Sequence, residues 1–455
     1  MLHAVTPTSP DEKSTHVRFT VLAFLCVLSF LTYYDRQCLV RAQPDMVRSL
    51  GLSDGQMGIV LGAFWFAYAL FEIPSGWMGD RIGARLTLSR IVLAWSLFTA
   101  LTGVATGFYS LLVYRLLFGA GEAGAYPNMA RIQSRWLPKI ERARAGGLLW
   151  LCARWGAAFA PFLFGSITRG VEFLHASFAG SPIASWLAGI PSWRIGFIIS
   201  GLLGIGWCLM FYPWFRDEPA QKRSVSAAEL EHIHAHRGEI ETSHQMDATT
   251  WRKLFTSHSL WAIGVYYFCG SFAWSFFMSW MPRYMNDVHQ VSFQKSEWSA
   301  ALPLLFGGIA CLVGGVLSDE LVRRTGWRRL GRAVFPMTGC FIAAAAMLGI
   351  RHADSQREAT ILMCVAAAAF DLGQAANWAA IVDIGGRYAG VALGFINMIG
   401  CLAHAVQPFI GQDVFNSIGW NALFGIYAVA YLLAMMTWTV INPLRRFYDD
   451  RNDGV

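Results

Sequence analysis

Charge is scarce in this chain: Asp, Glu, Lys and Arg make up 14% of its 455 residues, while 55% are hydrophobic. With a mean hydropathy of +0.41, that balance excludes one or two water-soluble domains. A GxxxxGK[ST] phosphate loop is missing, so coupling to ATP has no support. The nine cysteines, Cys26, Cys152, Cys311 and Cys364 among them, form no CxxC pair and no ligand spacing, and they read as small buried hydrophobes. No nucleophile, metal or cofactor constellation emerges, so an enzyme is the least supported reading, and neither a metal nor a cofactor is expected.

What the chain has instead is long apolar runs. A helix needs roughly 18 to 25 apolar residues to cross a ~30 Å hydrocarbon core. Twelve runs meet that length, at about 19–40, 57–78, 86–106, 108–131, 144–168, 194–215, 259–284, 297–318, 331–350, 358–383, 388–411 and 421–442. They are too long for barrel strands and lack strand alternation, so an all-α membrane protein is expected, with the lipid bilayer as its surroundings. The first sixteen residues are polar and no small-residue cleavage site follows the first run, which therefore reads as a retained helix and not a signal peptide.

Basic residues set the expected orientation. With the N-terminus inside, the cytoplasmic connections hold Arg81 and Arg85; Arg131, Arg135, Lys139, Arg142 and Arg144; Arg323, Arg324, Arg328, Arg329 and Arg332; and Arg445 and Arg446. The outer loops are poorer in positive charge, apart from Arg41 and Arg48. Both termini are thus expected in the cytoplasm, and this bias accounts for the net charge of +7 without a nucleic-acid partner.

The longest polar connection, 216–257, falls between spans six and seven. The expected organisation is a cytoplasmic tail over 1–18, a six-helix bundle over 19–215, a cytoplasmic linker over 216–257, a second six-helix bundle over 258–442 and a tail over 443–455. Ser226 and Glu229 stand at capping-box spacing before ELEHIHAHR, predicting a short linker helix. His232, His234 and His236 alternate there; nothing nearby completes a metal site, so a solvated face is expected.

Against this apolar background four charges stand out. Asp35 and Arg36 end the first run, LAFLCVLSFLTYYDR, and Arg115 and Glu122 lie within LLVYRLLFGAGEAGAY. Charges at membrane depth are costly and usually functional. Arg115 and Glu122 are seven apart, hence on one helix face about two turns from each other. A carboxyl so placed can be loaded with a proton and unloaded by a nearby arginine or a bound anion. GAGEAG also satisfies GxGxxG, but no strand precedes it, and close helix packing is the better use of its glycines.

The two halves repeat one another. GWMGDRIGAR carries Gly76, Gly79, Asp80, Arg81, Gly83 and Arg85 after span two; GGVLSDELVRRTGWRR carries Gly315, Asp319, Arg323, Arg324 and Gly326 after span eight. Duplication in parallel orientation explains the pair. With twelve spans and a six-plus-six division, the chain resembles the major facilitator superfamily, whose signature is the Gly-x-x-x-Asp-Arg-x-Gly-x-Arg loop. The runs TYYDRQCLVRAQPDM, SDGQMGIVLGAFWFAYALFEIPSGWMGDRIG, YRLLFGAGEAGAYPNMARIQSRW and GVALGFINMIG resemble that superfamily's anion:cation symporter family, which includes bacterial galactonate, hexuronate and glucarate carriers and animal sialin.

The resemblance implies proton coupling at Asp35 and Glu122, basic residues near substrate at Arg36 and Arg115, a substrate contact at Asn397, and a functional monomer. It also implies conformational gating by Gly76, Asp80, Arg81, Gly83 and Arg85 and by the second copy, Asp319, Arg323 and Arg324, as a charge network that breaks and reforms. Read from the residues themselves, Tyr33, Tyr68, Tyr267, Gln374 and Trp378 offer hydroxyls, an amide and rings to a polyhydroxylated ligand. Arg154 in span five departs from the family pattern; it suits a dianion or pairs with Glu122, while Asp371 is a further titratable site or a partner for Arg154. The expectation is a proton-coupled carrier of a small organic anion, a sugar acid (aldonate or hexuronate), in an inner membrane. The rivals are an exporter on the same fold, which would want a more apolar cavity, and a non-transporting sensor, which would want a large soluble domain that the linker and tails do not offer.

Overall fold

The computed structural model describes residues 14–177, 189–236, 248–291 and 297–448. Among the described residues the backbone is helices and short turns, with no strand. The first half contains α1 (Val17–Leu50), α2 (Asp54–Ile82), α3 (Ala84–Thr102), α4 (Phe108–Glu122), α5 (Ala125–Trp136), α6 (Lys139–Ser177) and α7 (Ser192–Trp214). The linker holds α8 (Ala227–His236) and α9 (Ala248–Thr256). There follow α10 (His258–Ser275), a π-helical turn at Phe276–Trp280, α11 (Met281–His289), α12 (Glu297–Thr325), α13 (Arg328–Ile350), α14 (Gln356–Gly385), α15 (Ala389–Ile418) and α16 (Trp420–Thr437).

Eleven helical spans of the described residues are long and apolar enough to cross a membrane, with α10, the π-turn and α11 running through one of them. The remaining predicted span, 108–131, is crossed in two pieces, because the backbone breaks between α4 and α5. Ala123 is extended and Gly124 sits at φ +84°, a left-handed conformation open to glycine. A side chain at Gly124 would also strike Ser75 of α2. Asn128 donates to the Gly124 carbonyl at 2.8 Å and so satisfies one group freed by the break. Glu122 is the last residue of α4 and is fully buried there.

The first helix overruns its expected limit. It continues past residue 40 to Leu50, where Gly51 closes it at φ 63°. Asp35 and Arg36 therefore lie near the middle of a 34-residue helix, and not at the end of a shorter one as the apolar run suggests. The apolar run is interrupted at Asp35, but Cys38, Leu39, Val40, Ala42 and Met46 beyond it are buried, so the helix continues with that face covered by neighbours.

Helix α1 packs on α6, α3 on α7 and α2 on α4. In the second half, α12 and α13 pack on α14, and α10 packs on α15. Across the halves, α2 meets α15 and α6 meets α12. Gly62 of α2 faces the Ala405 carbonyl and the Phe409 ring of α15, a close approach that a side chain would prevent.

The predicted linker helix is present as α8, with Ser226 Oγ accepting from the Glu229 N–H at 3.2 Å. Glu229 is fully buried and serves a second helix: its carboxylate accepts from Thr15 Oγ1 at 2.6 Å and from the Val17 and Arg18 N–H groups at 3.1 Å. It thus caps the start of α1, an anion at the positive end of a helix. His232 lies 3.9 Å from Glu141. Residues 1–13 and 449–455, most of the two expected tails, and 237–247 of the linker lie outside the described residues, as does the His236 side chain.

Candidate functional site

The site begins with the interruption of α4. It leaves the Glu122 carboxylate pointing at α1, where Arg36 Nε donates to Oε1 at 2.8 Å and Nη2 lies 2.6 Å from the same oxygen. The direct ion pair of Glu122 is thus with Arg36, and Arg115 sits one layer away over the rings of Phe64 and Phe118, at 5.0 and 4.8 Å. Four rings surround the Arg36 guanidinium: Tyr33 at 4.7 Å, Trp65 at 4.9 Å, Tyr68 at 5.0 Å and Phe64 at 5.2 Å. Their negative faces stabilise a cation that has been taken out of water.

This cluster is not saturated. Among the described residues, Glu122 Oε2, Asp35 Oδ1 and Arg115 Nε are buried without a hydrogen-bond partner. Unfilled acceptors on two carboxyls beside two guanidiniums are an arrangement that can take up a proton or an anion.

Arg36 opens onto a cavity between the halves, lined by Tyr33, Arg36, Trp65, Tyr68, Tyr126, Trp150, Tyr267, Asn397, Gly400, Cys401 and His404. Aromatic contacts build its wall. Tyr126 stacks on Trp150 at 5.1 Å, Trp150 meets Trp378 at 5.7 Å, Trp378 meets Tyr267 at 5.7 Å, and Trp65 stacks on His404 at 4.3 Å. His404 Nδ1 in turn bonds Ser275 Oγ. A second recess, against Gln37, Arg41, Phe277 and Leu304, touches none of the predicted pocket residues.

Of the predicted binding residues, Tyr33, Arg36, Tyr68, Tyr267 and Asn397 line the cavity. Trp378 stands behind it, against Trp150 and Tyr267. Gln374 is buried off the wall, its Oε1 without a partner among the described residues. Arg154 pairs with Asp371 and not with Glu122: Nε donates to Oδ2 at 2.9 Å and Nη2 to Oδ1 at 2.6 Å. Asn397 is committed as well, donating from Nδ2 to Glu72 Oε2 at 2.7 Å.

Glu72, Trp65, Tyr126 and Trp150 escape the sequence reading. Glu72 is the instructive omission: a buried acid inside the apolar stretch AYALFEIPSGW obeys the same logic that singles out Glu122. The three aromatics look like ordinary core in any apolar helix.

At the ends of α2 and α12 the predicted gating residues find local partners. Asp217, beyond α7, accepts from the Arg85 N–H at 2.9 Å and crowds Gly83, which has φ +88° and would place a Cβ 2.7 Å from Asp217 Oδ2. Arg85 Nε donates to the Tyr212 carbonyl at 2.8 Å, and Arg81 lies over Trp77 at 4.2 Å. Gly76 rests in ordinary contact with Pro127. The Asp80 side chain lies outside the described residues. In the second copy Asp319 holds Arg332 at 2.9 Å, whereas Arg323 and Arg324 pair with Glu320 on their own helix at 2.7 and 2.5 Å. Those two arginines do not bridge helices in this structure, because Glu320 lies three and four residues before them.

Comparison with known proteins follows the same lines. A probable sulfoacetate transporter, SauU, of Cupriavidus necator is 30% identical over 440 residues, covering 95% of this chain and 97% of that one. The D-galactonate transporter of Escherichia coli O6:H1 is 28% identical, over 94% of this chain and 96% of its own length. A probable galactarate/D-glucarate transporter, GudP, of Bacillus subtilis is 27% identical, over 96% and 95%. Among solved structures, a bacterial homolog of the human lysosomal transporter Spinster, inward-facing and unoccupied, matches with a TM-score of 0.67 at 21% identity, over 94% of this chain and 95% of that chain. A model of the Major Facilitator Superfamily matches residues 25–408. By its fold and by this match over most of its length, the chain belongs to the Major Facilitator Superfamily, as a multi-pass membrane transporter and not an enzyme.

Proposed function

We propose that this transporter carries a small organic anion, a sugar acid, together with protons. One observation supports the reading above all: a buried Arg36–Glu122 pair on the edge of a cavity between the halves, with a carboxyl oxygen of Glu122 and one of Asp35 unfilled among the described residues. Arg36 recruits the carboxylate of the substrate, the aromatic wall and Asn397 contact its hydroxyls, and Asp35 and Glu122 hold the protons. The relatives are named as a transporter of galactonate and as probable transporters of galactarate or glucarate and of sulfoacetate, all acids, which favours the anion over a neutral cargo. An exporter of apolar compounds fits this cavity less well, because its wall holds a guanidinium and an amide.

In this reading the bundles over 19–215 and 258–442 rock about the cavity, in an inner membrane, with both termini in the cytoplasm and one chain as the working unit. Asp217 on Arg85 and Asp319 on Arg332 each tie helix ends on one side of the cavity, contacts that keep each bundle together as it rocks.

The test is uptake into proteoliposomes of radiolabelled sugar acids and neutral sugars, with and without an inward proton gradient, for wild type and Glu122→Gln. The expected result is accumulation of an acid that requires the gradient and is lost in the variant. Uptake indifferent to both, or confined to neutral or cationic compounds, would overturn the reading.

A further inference from the structure

The Arg154–Asp371 pair is the second carboxylate–arginine pair beside the cavity, and it joins the two halves of the protein, α6 to α14. Both side chains are buried, and the contact is the two-pronged geometry in which one edge of a guanidinium matches a carboxylate. The adjacent glycines of α12 make the room. A Cβ on Gly307 would collide with Asp371 Oδ2, and one on Gly308 would lie 3.1 Å from Arg154 Cβ.

Arg154 stands directly behind the cavity wall, over Trp274 at 3.9 Å and near Trp150 at 5.8 Å. Two aromatic bridges connect it to Arg36. One runs through Tyr33 and Trp150, whose rings are 6.4 Å apart. The other runs through Trp65, His404 and Trp274. At each end, then, an arginine already grips a carboxylate that belongs to the protein.

From this symmetry we infer that Asp371 is a stand-in for a second acid group of the substrate, so that the transporter selects dianions, and that displacement of Asp371 from Arg154 by that group opens a latch between the halves. This deepens the organic-anion reading and rests on it. A buried arginine without a counter-ion is strongly unfavourable, so Asp371 stays in place until another anion replaces it. A monoanion satisfies Arg36 and leaves the latch closed. A dianion reaches both, exchanging one internal ion pair for one made with substrate and releasing the bond between α6 and α14. The freed Asp371 carboxylate is hydrated as the halves part. Recognition of the second acid group and the conformational step thereby become one event.

The experiment compares matched probes that differ by one acid group, galactarate against galactonate and sulfoacetate against acetate. Affinities are measured by calorimetry and counterflow in wild type, Asp371→Asn and the double variant Arg154→Gln/Asp371→Asn. In wild type the dianion of at least one pair is expected to bind at least tenfold more tightly than its partner. Removing the internal competitor in Asp371→Asn should raise that ratio at least fivefold, a gain that a merely structural pair would not give. In the double variant, which keeps a neutral hydrogen-bonding pair, the ratio should fall toward one; if that variant fails to fold, the gain in Asp371→Asn carries the test. A ratio unchanged by Asp371→Asn, or wild-type preference for the monoanions, overturns the inference while leaving the organic-anion reading intact. Binding of no organic anion by wild type overturns both.

Discussion

Asn397 of α15 donates to Glu72 of α2 across the two halves, at 2.7 Å, with Glu72 only 1% exposed. A buried carboxyl held in that way depends on its cross-half donor.

Asn397→Ala is therefore expected to destabilise the protein by about 1–3 kcal/mol, the desolvation penalty of a buried polar group that has lost its partner. Thermal melting in detergent reads this directly. Asn397→Asp also removes the amide donor and should lower the melting temperature as well. A melting temperature unchanged by both substitutions would refute this account of the contact.

Replacing Arg36 by lysine keeps the charge but removes the fork that reaches Glu122 through Nε and Nη2. Substrate affinity should drop at least tenfold, about 1.4 kcal/mol. Equilibrium binding to purified protein checks it, and wild-type affinity in Arg36→Lys would mean that Arg36 does not touch the anion.

Gly124→Ala should cut the yield of folded protein sharply. A side chain there meets both an unfavourable φ of +84° and the backbone and side chain of Ser75, a cost on the order of 1–3 kcal/mol for the strain alone. Gly170→Ala, on a helix with nothing within 4 Å of the added carbon, is the matched control and should express normally. Equal behaviour of the two variants in size-exclusion chromatography would count against the break as a structural requirement.

Glu229→Ala removes the acceptor for Thr15, for two N–H groups at the start of α1 and for Arg18 Nη1 at 3.1 Å. Loss of about 3–5 kcal/mol is expected, the range for one partner of a buried ion pair. High salt should change little, since the pair is shielded from solvent ions.

These expectations draw unevenly on what the sequence makes legible. Span positions follow from apolar length alone, because a bilayer leaves helix as the sole solution for such runs. Asp35, Arg36, Arg115 and Glu122 stand out because a charge in an apolar run is expensive wherever it points. Which charges meet is another matter. Glu122 turns to Arg36 because α4 stops at that residue, and the stop is written only in a cluster of glycines that also reads as close packing. Likewise Arg154 and Asp371 lie in different halves of the chain, and nothing in their spacing announces a contact that tertiary packing creates. Trp65 and Trp150 illustrate a deeper limit, since a ring lining a cavity and a ring filling a core share one sequence signature.

The length of α1 has a mechanical consequence. At 1.5 Å per residue its 34 residues form a rod of about 51 Å, far longer than the ~30 Å hydrocarbon core. Asp35 and Arg36 sit near its midpoint, which is the fulcrum if the rod tilts. A swing of 10° would carry each tip through about 4 Å while the residues at the centre barely travel. The charged pair thus occupies the one stretch of α1 where large motions at the membrane faces and sub-ångström constancy at the chemistry are compatible.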